Sequence, residues 1–422
     1  MSFVDLLSTS MGENVNVSKS VLRRLPKTDL HLHLDGSLRL ETLIELAREY
    51  EIELPAYTPE GLKETVFKPQ YADLGEYLQG FQYTCGVMQT TQALHRVAYE
   101  LAWDNINEGV RYIEVRFAPL LHTVKGLVTE EILKAVCAGL QQAGDEYNAT
   151  EPIVSGEEPP FYFGIIACAM RMFNEHFPGW YGEFYRMFKQ TKRKDLFELA
   201  SLELVKECVR CRNEYNLPIV GFDLAGQEDG YPAKYHKKAF EYAHQNFLLK
   251  TVHAGEAFGP ESIFEALNIA YADRLGHGYH LFSPDKIRTN KVRTQAQKEA
   301  YVESLIHYVS NRRLTIEVCI SSNMQTNPEI QSVADHHFGK MLAHKMSVSL
   351  CTDNRLVSHT TVTDEYALAL EHFEIDAKQL RDIITYGFKR SFFAGTYLEK
   401  RRYIRQCIDY FDRIWDEEMI QK

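Results

Sequence analysis

Clusters of basic charge and long apolar runs are both missing from this 422-residue chain. The formal net charge is −11 and the basic residues are scattered, which argues against a nucleic-acid-binding surface because such surfaces need clustered lysine and arginine. No stretch of about 18 apolar residues occurs, so no membrane-spanning helix is expected. The N-terminal stretch MSFVDLLSTSMGENVNVSKS has neither a basic segment nor a long apolar segment, so we expect no signal peptide and a cytoplasmic location.

The eight cysteines are scattered, and a second CxxC pair is missing. Cys208 and Cys211 have CxxC spacing, but they lie in LELVKECVRCRNEYNLP, where apolar residues recur every three or four positions. A zinc site built on such pairs needs a second pair of ligands. The sequence therefore predicts reduced, buried thiols, with these two on one amphipathic helix.

What the chain does have is an alternation of short β-rich apolar runs and helical stretches. Eight strands are predicted, near 28–33, 110–117, 161–168, 218–224, 249–253, 273–277, 315–320 and 347–352. Helical patterns such as ALHRVAYELAWDNINEG lie between them, whereas 148–160 has the composition of a polar loop. This alternation predicts a parallel α/β fold, and eight units favour a closed (β/α)8 TIM barrel with extra helices over a doubly wound open sheet.

Polar residues collect at the C-terminal ends of the predicted strands. These ends contain TDLHLHLDGS, DLAGQED, HAGE, GHGYH and TDN. In barrel enzymes the C-terminal rim is where active sites are built. The sequence therefore predicts a functional site at this rim.

The segment TDLHLHLDGS alternates leucines with histidines and aspartates. Side chains alternate along a strand, so His31 and His33 point the same way while the leucines point to the other face. With His253 and Asp353 from other strand ends, they would form a mononuclear metal site. Imidazole and carboxylate ligands suit zinc and other borderline divalent metals.

Two further polar residues fit hydrolytic chemistry at such a metal. A bound metal lowers the pKa of its water to about 7, but the leaving or receiving atom still needs a proton. Glu256, three residues beyond His253, could hold that proton. His277, at the next strand end, could orient or deprotonate the water. Any one of these residues could be an ordinary polar residue at a strand end, so the prediction depends on their combination.

Several segments, in this order, resemble the signature motifs of the adenosine deaminase family, which belongs to the amidohydrolase superfamily of metal-dependent barrels. They are LPKTDLHLHLDGSL, GFDLAGQE, TVHAGE, RLGHG and SLCTD, and the similarity also covers ELAWDNINEGVRYIEVRFAP and IIACAMR. The resemblance runs from about residue 25 to the C-terminus. We therefore expect an N-terminal extension over 1–24 and a single barrel domain over 25–422.

The resemblance implies a role for each candidate residue. It implies one zinc ion per chain, with the ligands His31, His33, His253 and Asp353. It implies that Glu256 donates a proton to purine N1 and that His277 activates and positions the metal-bound water. It also implies that Asp35 accepts the sugar 5′-hydroxyl and that Gly226 offers its backbone N–H to purine N3, where a glycine lets the base approach closely.

The chain departs from the family pattern at Asn354, where the family usually has an aspartate that contacts purine N7. Asn354 is predicted to bind the base through its amide, with the alternative that it turns away and Arg355 or His359 shapes the pocket. The segment DLGEYLQGF resembles the family's gate, although a core-facing helix would have the same spacing. The stretch 281–314 is longer than usual in the family and could reshape the entrance or a subunit contact.

The leading hypothesis is a zinc-dependent hydrolase of purine metabolism that converts adenosine, and 2′-deoxyadenosine, to inosine and ammonia. The alternatives are a deaminase of adenine, of methylthioadenosine, of a 6-substituted purine nucleoside or of a 5′-phosphorylated nucleoside, and a non-catalytic purine-binding protein. Asp35 argues against the phosphate, because a carboxylate repels it. The expected partner is a small purine nucleoside, with no nucleic acid and no membrane.

Overall fold

Eight parallel strands form one barrel. The computed structural model describes residues 14–420, in which the strands follow one another around the barrel in sequence order. The strands are Lys27–His33 (β1), Val110–Phe117 (β2), Tyr162–Met170 (β3), Ile219–Ala225 (β4), Leu249–Ala254 (β5), Arg274–His277 (β6), Thr315–Val318 (β7) and Ser347–Leu350 (β8). This order confirms the predicted (β/α)8 barrel, because a doubly wound sheet reverses its strand order part-way along the chain.

The barrel closes between β1 and the residues just after β8. The backbone N–H of Asp353 donates to the carbonyl oxygen of His31 at 2.8 Å, and that of His33 donates to the carbonyl oxygen of Asp353 at 2.8 Å. Leu32 and Asp353 thereby form a parallel bridge. The seam of the barrel is therefore made by three of the predicted metal ligands.

Helices surround the barrel and connect its strands. Those between β1 and β4 are Leu40–Glu49, Pro59–Thr65, Leu74–Gln79 (here the gate helix), Phe81–Val87, Thr91–Ile106, Thr129–Asn148, Glu151–Val154, Gly179–Met187 and Arg193–Tyr215. Those after β4 are Lys237–Gln245, Pro260–Asn268, Gln295–Asn311, Ile320–Thr326, Phe338–Ala343, Val362–His372, Ala377–Arg390 and Tyr397–Ile420. None of the helices within residues 14–420 has the length and apolar character needed to cross a bilayer.

Local sequence explains the ends of several helices. In the helix Thr91–Ile106, the Thr90 hydroxyl accepts from the N–H of Ala93, and the chain leaves the helix before Gly109, which has a φ of 86°.

The prediction of a loop over 148–160 is wrong in part. The helix before it reaches Asn148, and Glu151–Val154 adds one turn, because proline is tolerated in the first turn of a helix.

The core lies in the barrel and between the barrel and its helices. The leucines of β1 are fully buried, and β1 packs on the helix Ala377–Arg390. All eight cysteines are free, and Cys208 and Cys211 are buried on the helix Arg193–Tyr215, as predicted.

The structure describes the predicted N-terminal extension only in part, and it describes the stretch 281–314 in full. Residues 1–13 of the predicted extension lie outside the described part of the chain, and the helix Lys19–Arg24 contacts the helix Val362–His372. A domain boundary at residue 24 stays a prediction. In the stretch 281–314, Arg288 bonds the Asp229 carboxylate at 3.0 Å, so this part of the stretch lies beside the rim after β4.

Candidate active site

Three imidazole nitrogens meet one carboxylate oxygen at the C-terminal rim. Nε2 of His253 lies 3.0 Å from Nε2 of His31 and 3.1 Å from Nε2 of His33. Oδ1 of Asp353 lies 3.4 Å and 3.5 Å from the same nitrogens of His31 and His33. A tetrahedral zinc ion with Zn–N distances of about 2.0–2.1 Å spaces its ligand atoms about 3.3–3.4 Å apart. The four atoms therefore have the spacing of a mononuclear metal site.

The other nitrogens of two of these rings are already committed as donors. Nδ1 of His31 lies 2.9 Å from Glu317 Oε2, and Nδ1 of His253 lies 3.0 Å from Asp223 Oδ2. Because carboxylates accept, each Nδ1 carries the hydrogen and each Nε2 presents a lone pair. Lone pairs 3.0 Å apart beside a carboxylate repel one another unless a cation lies among them. The set of three imidazoles and one carboxylate fits a zinc ion.

Buried ion pairs lie directly beneath this cluster. Arg116 bonds Asp223 at 2.9 Å and Glu317 at 2.8 Å, and Arg274 bonds Glu317 at 2.7 Å. All four side chains are almost completely buried. The same two carboxylates that orient the histidines are therefore themselves held in place. Sequence reasoning missed these residues, although charged residues within strands that are buried on both faces were a usable signal.

Backbone strain occurs at two residues of the site. Asp353 has a φ of 62° and His277 a φ of 61°, which non-glycine residues rarely adopt. The Ser322 hydroxyl donates to Oδ2 of Asp353 at 2.6 Å, which leaves Oδ1 directed at the histidines. Such strain is typical of positions where geometry serves function rather than stability.

Glu228 shapes the loop that carries Glu256. Its carboxylate accepts from the Ser262 hydroxyl and from four consecutive backbone N–H groups at 2.7–3.0 Å, those of residues 255–258. Consecutive N–H groups of this kind form a concavity suited to an anion. Gly255 makes the turn with a φ of 70°. The loop therefore holds Glu256 at one side of the histidine cluster.

Glu256 and His277 face each other across the site. Oε1 of Glu256 lies 3.6 Å from Nε2 of His277. Burial, with the charges of Asp353 and Glu228, raises the pKa of Glu256 well above its usual range. Burial lowers the pKa of His277 well below its usual range. The site therefore sets a carboxyl group that favours its protonated form against an imidazole that favours its neutral form.

Asp35, Cys85 and His122 form a second buried group, here the acceptor pocket, whose polar atoms lie within 4.8 Å of one another. Nδ1 of His122 donates to the carbonyl oxygen of Met88 at 3.0 Å, which leaves Nε2 as an acceptor. Within residues 14–420, neither this Nε2 nor Oδ1 of Asp35 has a hydrogen-bond partner. Burial lowers the pKa of His122 to about 4. The pocket therefore offers two acceptors and no cation of its own.

Asn354 lies against the gate helix. Its Nδ2 donates to the Tyr77 hydroxyl at 2.8 Å, and that hydroxyl lies 2.7 Å from Ser358 Oγ. Gly36 makes room for the amide, because a Cβ there would lie 1.8 Å from Asn354 Oδ1. The gate helix buries Leu74 and Tyr77, so it also packs on the core.

The other residues predicted to shape the base-binding pocket are Arg355, His359 and Gly226, and none of them shares the partners of Asn354 within residues 14–420. The Arg355 guanidinium bonds Glu108, which lies just before β2. His359 donates from Nε2 to the carbonyl oxygen of Phe67. Gly226 follows β4 with a φ of 94°, where a side chain would be strained.

The sequence model of a known family covers almost the whole barrel. The model described as adenosine deaminase matches residues 26–177 and 185–410. The chain belongs to the adenosine deaminase family. As a member of this family of metal-dependent amidohydrolases, the protein is a hydrolytic deaminase.

Curated relatives agree with this assignment. The chain is 35% identical over 376 residues to an adenosine deaminase of Mycolicibacterium vanbaalenii, covering 88% of this chain and 92% of that one. It is 38% identical over 356 residues to adenosine deaminase 1 of Streptomyces coelicolor, covering 83% and 78%. It is also 34% identical over 380 residues to a probable adenosine deaminase of Dictyostelium discoideum, covering 90% of this chain but only 42% of that longer protein.

Solved structures share the fold. The adenine deaminase from Arthrobacter aurescens superposes with a TM-score of 0.70 at 21% identity, covering 92% of this chain and 99% of that one. The Arabidopsis N6-mAMP deaminase gives 0.69 at 23% identity, with coverages of 92% and 99%. An amidohydrolase from Burkholderia ambifaria with bound zinc gives 0.72 at 16% identity, with coverages of 96% and 96%.

Proposed function

We propose that the protein is a zinc-dependent adenosine deaminase, which converts adenosine and 2′-deoxyadenosine to inosine or deoxyinosine and ammonia in purine metabolism. In this reaction a C6–O bond forms from water and the C6–N bond to the amino group breaks. The observation that carries the proposal is the pair of Glu256 and His277, 3.6 Å apart beside the histidine cluster. A protonated carboxyl group next to a metal site is what a reaction needs when a ring nitrogen must be protonated.

Each residue of the site has a task in this proposal. His31, His33, His253 and Asp353 would hold one zinc ion per chain. When bound, this ion would supply a nucleophile from water near neutral pH. Glu256 donates its proton to purine N1, which makes C6 more electrophilic. His277 positions the attacking water. The carboxylates of Asp223 and Glu317 orient two of the ligand rings.

Base recognition is assigned to Gly226 and Asn354. The N–H of Gly226 would donate to purine N3. A half-turn of the Asn354 amide keeps its bond to Tyr77, because a tyrosine hydroxyl can donate as well as accept. The N–H groups would then take the place of Oδ1, which has no hydrogen-bond partner within residues 14–420, and would be free to donate to an acceptor such as purine N7. The amide therefore replaces the aspartate usual in the family without needing a shared proton.

The acceptor pocket favours a nucleoside over a nucleotide. A 5′-hydroxyl can donate to the ionised form of Asp35, whose pKa burial raises to about 7. A 5′-phosphate is mostly a dianion at neutral pH and would face that carboxylate. His122 is a second acceptor and is neutral, so it gives no compensating charge. The Arabidopsis fold relative is described as acting on N6-mAMP, and we propose that this chain acts on the unphosphorylated nucleoside.

A substrate panel tests this function. Purified zinc-loaded protein would be mixed with adenosine, 2′-deoxyadenosine, adenine, methylthioadenosine and AMP, and ammonia release would be followed. We expect the highest kcat/KM for the two nucleosides with a free 5′-hydroxyl. We expect at least about 10-fold lower values for AMP, because one lost charged hydrogen bond corresponds to roughly 1.5–3 kcal/mol. Faster turnover of AMP or adenine would contradict the proposal.

A further inference from the structure

Three hydrogen bonds connect a backbone amide to His277. The N–H of Phe338 lies 3.0 Å from Nδ1 of His336. Nε2 of His336 lies 3.2 Å from Oδ1 of Asn323. Nδ2 of Asn323 lies 3.1 Å from Nδ1 of His277. Of these groups, only His277 belongs to the site that the family motifs define.

The Phe338 N–H sets the direction of all three hydrogen bonds. A backbone N–H can only donate, so Nδ1 of His336 must accept and its hydrogen must be on Nε2. That hydrogen is donated to the carbonyl oxygen of Asn323, which turns the NH2 group of the amide toward His277. Nδ1 of His277 must then accept. The hydrogen of a neutral His277 is consequently on Nε2.

The surroundings keep both imidazoles neutral, so each carries one ring hydrogen. His336, Asn323 and His277 are all buried. Burial lowers the pKa of His336 to about 3. Nδ1 of His277 accepts from the amide of Asn323, so it carries no hydrogen. Reversing any one bond would set two hydrogens, or two lone pairs, against each other in a buried place.

We propose that Asn323 and His336 are positioning residues that fix His277 in the tautomer with hydrogen on Nε2. Within residues 14–420 this Nε2 has no hydrogen-bond partner, and it faces Glu256 across the site. His277 then presents a donor, so it orients the oxygen of the attacking water and does not start as the base that removes its proton. The assignment to a water rests on the proposed function, whereas the tautomer does not.

The tautomer can be measured directly. The zinc-loaded protein would be prepared with ¹⁵N in its histidine rings, and the His277 signals would be assigned by their loss in His277→Gln. We expect the wild-type signals of an imidazole with hydrogen on Nε2 and none on Nδ1. Hydrogen on Nδ1 in the wild type would overturn the proposal.

Variants of His336 test the connection to turnover. His336→Met removes the donor to Asn323, so we expect His277 signals from both tautomers and a kcat at least about twofold lower, with KM unchanged within twofold. His336→Gln can donate to Asn323 again and should restore the single tautomer and kcat. The control is His337→Gln, because His337 donates to the carbonyl oxygen of Tyr279 and lies outside the chain of bonds.

A second variant covers the case in which His336→Met does not fold. In Asn323→Asp the new carboxylate can only accept, so Nδ1 of His277 should gain a hydrogen. An unchanged His277 spectrum in that variant would overturn the proposal. If the wild type has hydrogen on Nε2 but deaminates no nucleoside, the proposed function fails and the positioning role stands. If adenosine is deaminated while the hydrogen is on Nδ1, only the positioning role fails.

Discussion

Glu256 and Glu228 are carboxyl groups on adjacent loops with different surroundings. Glu228 accepts from four backbone N–H groups and a hydroxyl, which hold the loop around Glu256. Glu256 is buried beside Glu228 and Asp353, and its pKa is raised. Burial, with the charges of Asp353 and Glu228, therefore favours the protonated form of Glu256, which suits it for general acid catalysis.

Replacement of Glu256 by glutamine should leave the metal in place and nearly abolish turnover. The amide keeps the shape of the side chain but has no acidic proton to give to the purine. General acid catalysis raises reaction rates by about 10²–10⁴-fold, so we expect kcat to fall by at least about 10²-fold. The check is kcat for adenosine together with the zinc content of the variant. A variant with wild-type kinetics would mean that Glu256 is only a turn residue.

Base recognition by Asn354 can be tested with a substrate that lacks the nitrogen at position 7. If the amide donates to N7, the wild type should lose about 1–3 kcal/mol in kcat/KM on 7-deazaadenosine, because a buried donor is left unpaired. In Asn354→Asp this difference should change, since a carboxylate bonds N7 only through a shared proton. Equal kcat/KM for the two substrates in the wild type would show that Asn354 makes no such contact.

Site residues that lie in short motifs could be predicted from the sequence. Residues whose partners are far away in the chain could not. His31 and His33 are two apart on one strand, so their common direction follows from strand geometry alone. Glu317 bonds His31, but the two residues are far apart in the chain and nothing local connects them. Asn323 was missed for the same reason, because its role depends on where the helix after β7 meets β6.

At the scale of elements, one short helix after β7 supports the site. The helix Ile320–Thr326 carries Ser322, which bonds Asp353, and Asn323, which bonds His277. Its N-terminus is held by Glu365 from the helix Val362–His372, whose Oε2 accepts from the N–H of Ile320 at 2.9 Å. Glu365 is completely buried, and its burial raises its pKa to about 7. The site therefore depends on a carboxyl group that never touches it.

Glu365 should make the stability of the protein fall as pH rises. Between its unfolded pKa of 4.5 and its folded pKa of about 7, the folded state binds the proton and the unfolded state does not. Protonated Glu365 contributes about 3 kcal/mol to the free energy of unfolding. This contribution is fully present below pH 4.5 and is lost as the pH rises through about 7. Urea unfolding of wild type and Glu365→Gln at pH 5 and pH 7.5 tests this. The variant should lack this part of the pH dependence, and parallel curves for the two proteins would contradict the assignment.

The elements themselves could be predicted where the pattern was strong. The eight predicted strands lie within two residues of the observed ones, because runs such as VRYIEVRF are β-rich and buried on both faces. The strand β7 ends at Val318, earlier than predicted, since the helix that begins at Ile320 takes over the remaining apolar residues. Apolar content alone does not distinguish the end of a buried strand from the start of a buried helix.

At the scale of the whole molecule, the predicted metal ligands join distant parts of the chain. They lie on β1, on β5 and just after β8, and Asp353 also closes the barrel through its backbone. A bound metal should therefore stabilise the fold as a whole. At a free concentration 100 times its Kd, a ligand that binds only the folded state contributes about 2.7 kcal/mol.

Metal removal should lower the stability of the wild type. We expect about one zinc per chain by elemental analysis and a lower urea midpoint after chelation, with recovery when zinc is added back. His33→Ala should bind little zinc, so chelation should not change its midpoint further. Two tightly bound metals per chain, or a midpoint that is independent of zinc in the wild type, would contradict a single structural and catalytic ion.

The barrel seam at Asp353 also sets the order in which the protein can be completed during synthesis. His31 and His33 leave the ribosome first, about 300 residues before their partner Asp353. At about 5–20 residues per second, β1 waits roughly 15–60 s with one edge unpaired. No truncated chain that ends before Asp353 can complete the ligand set, however well its first strands fold. The segment just after the last strand is thus the one that both closes the barrel and completes the site.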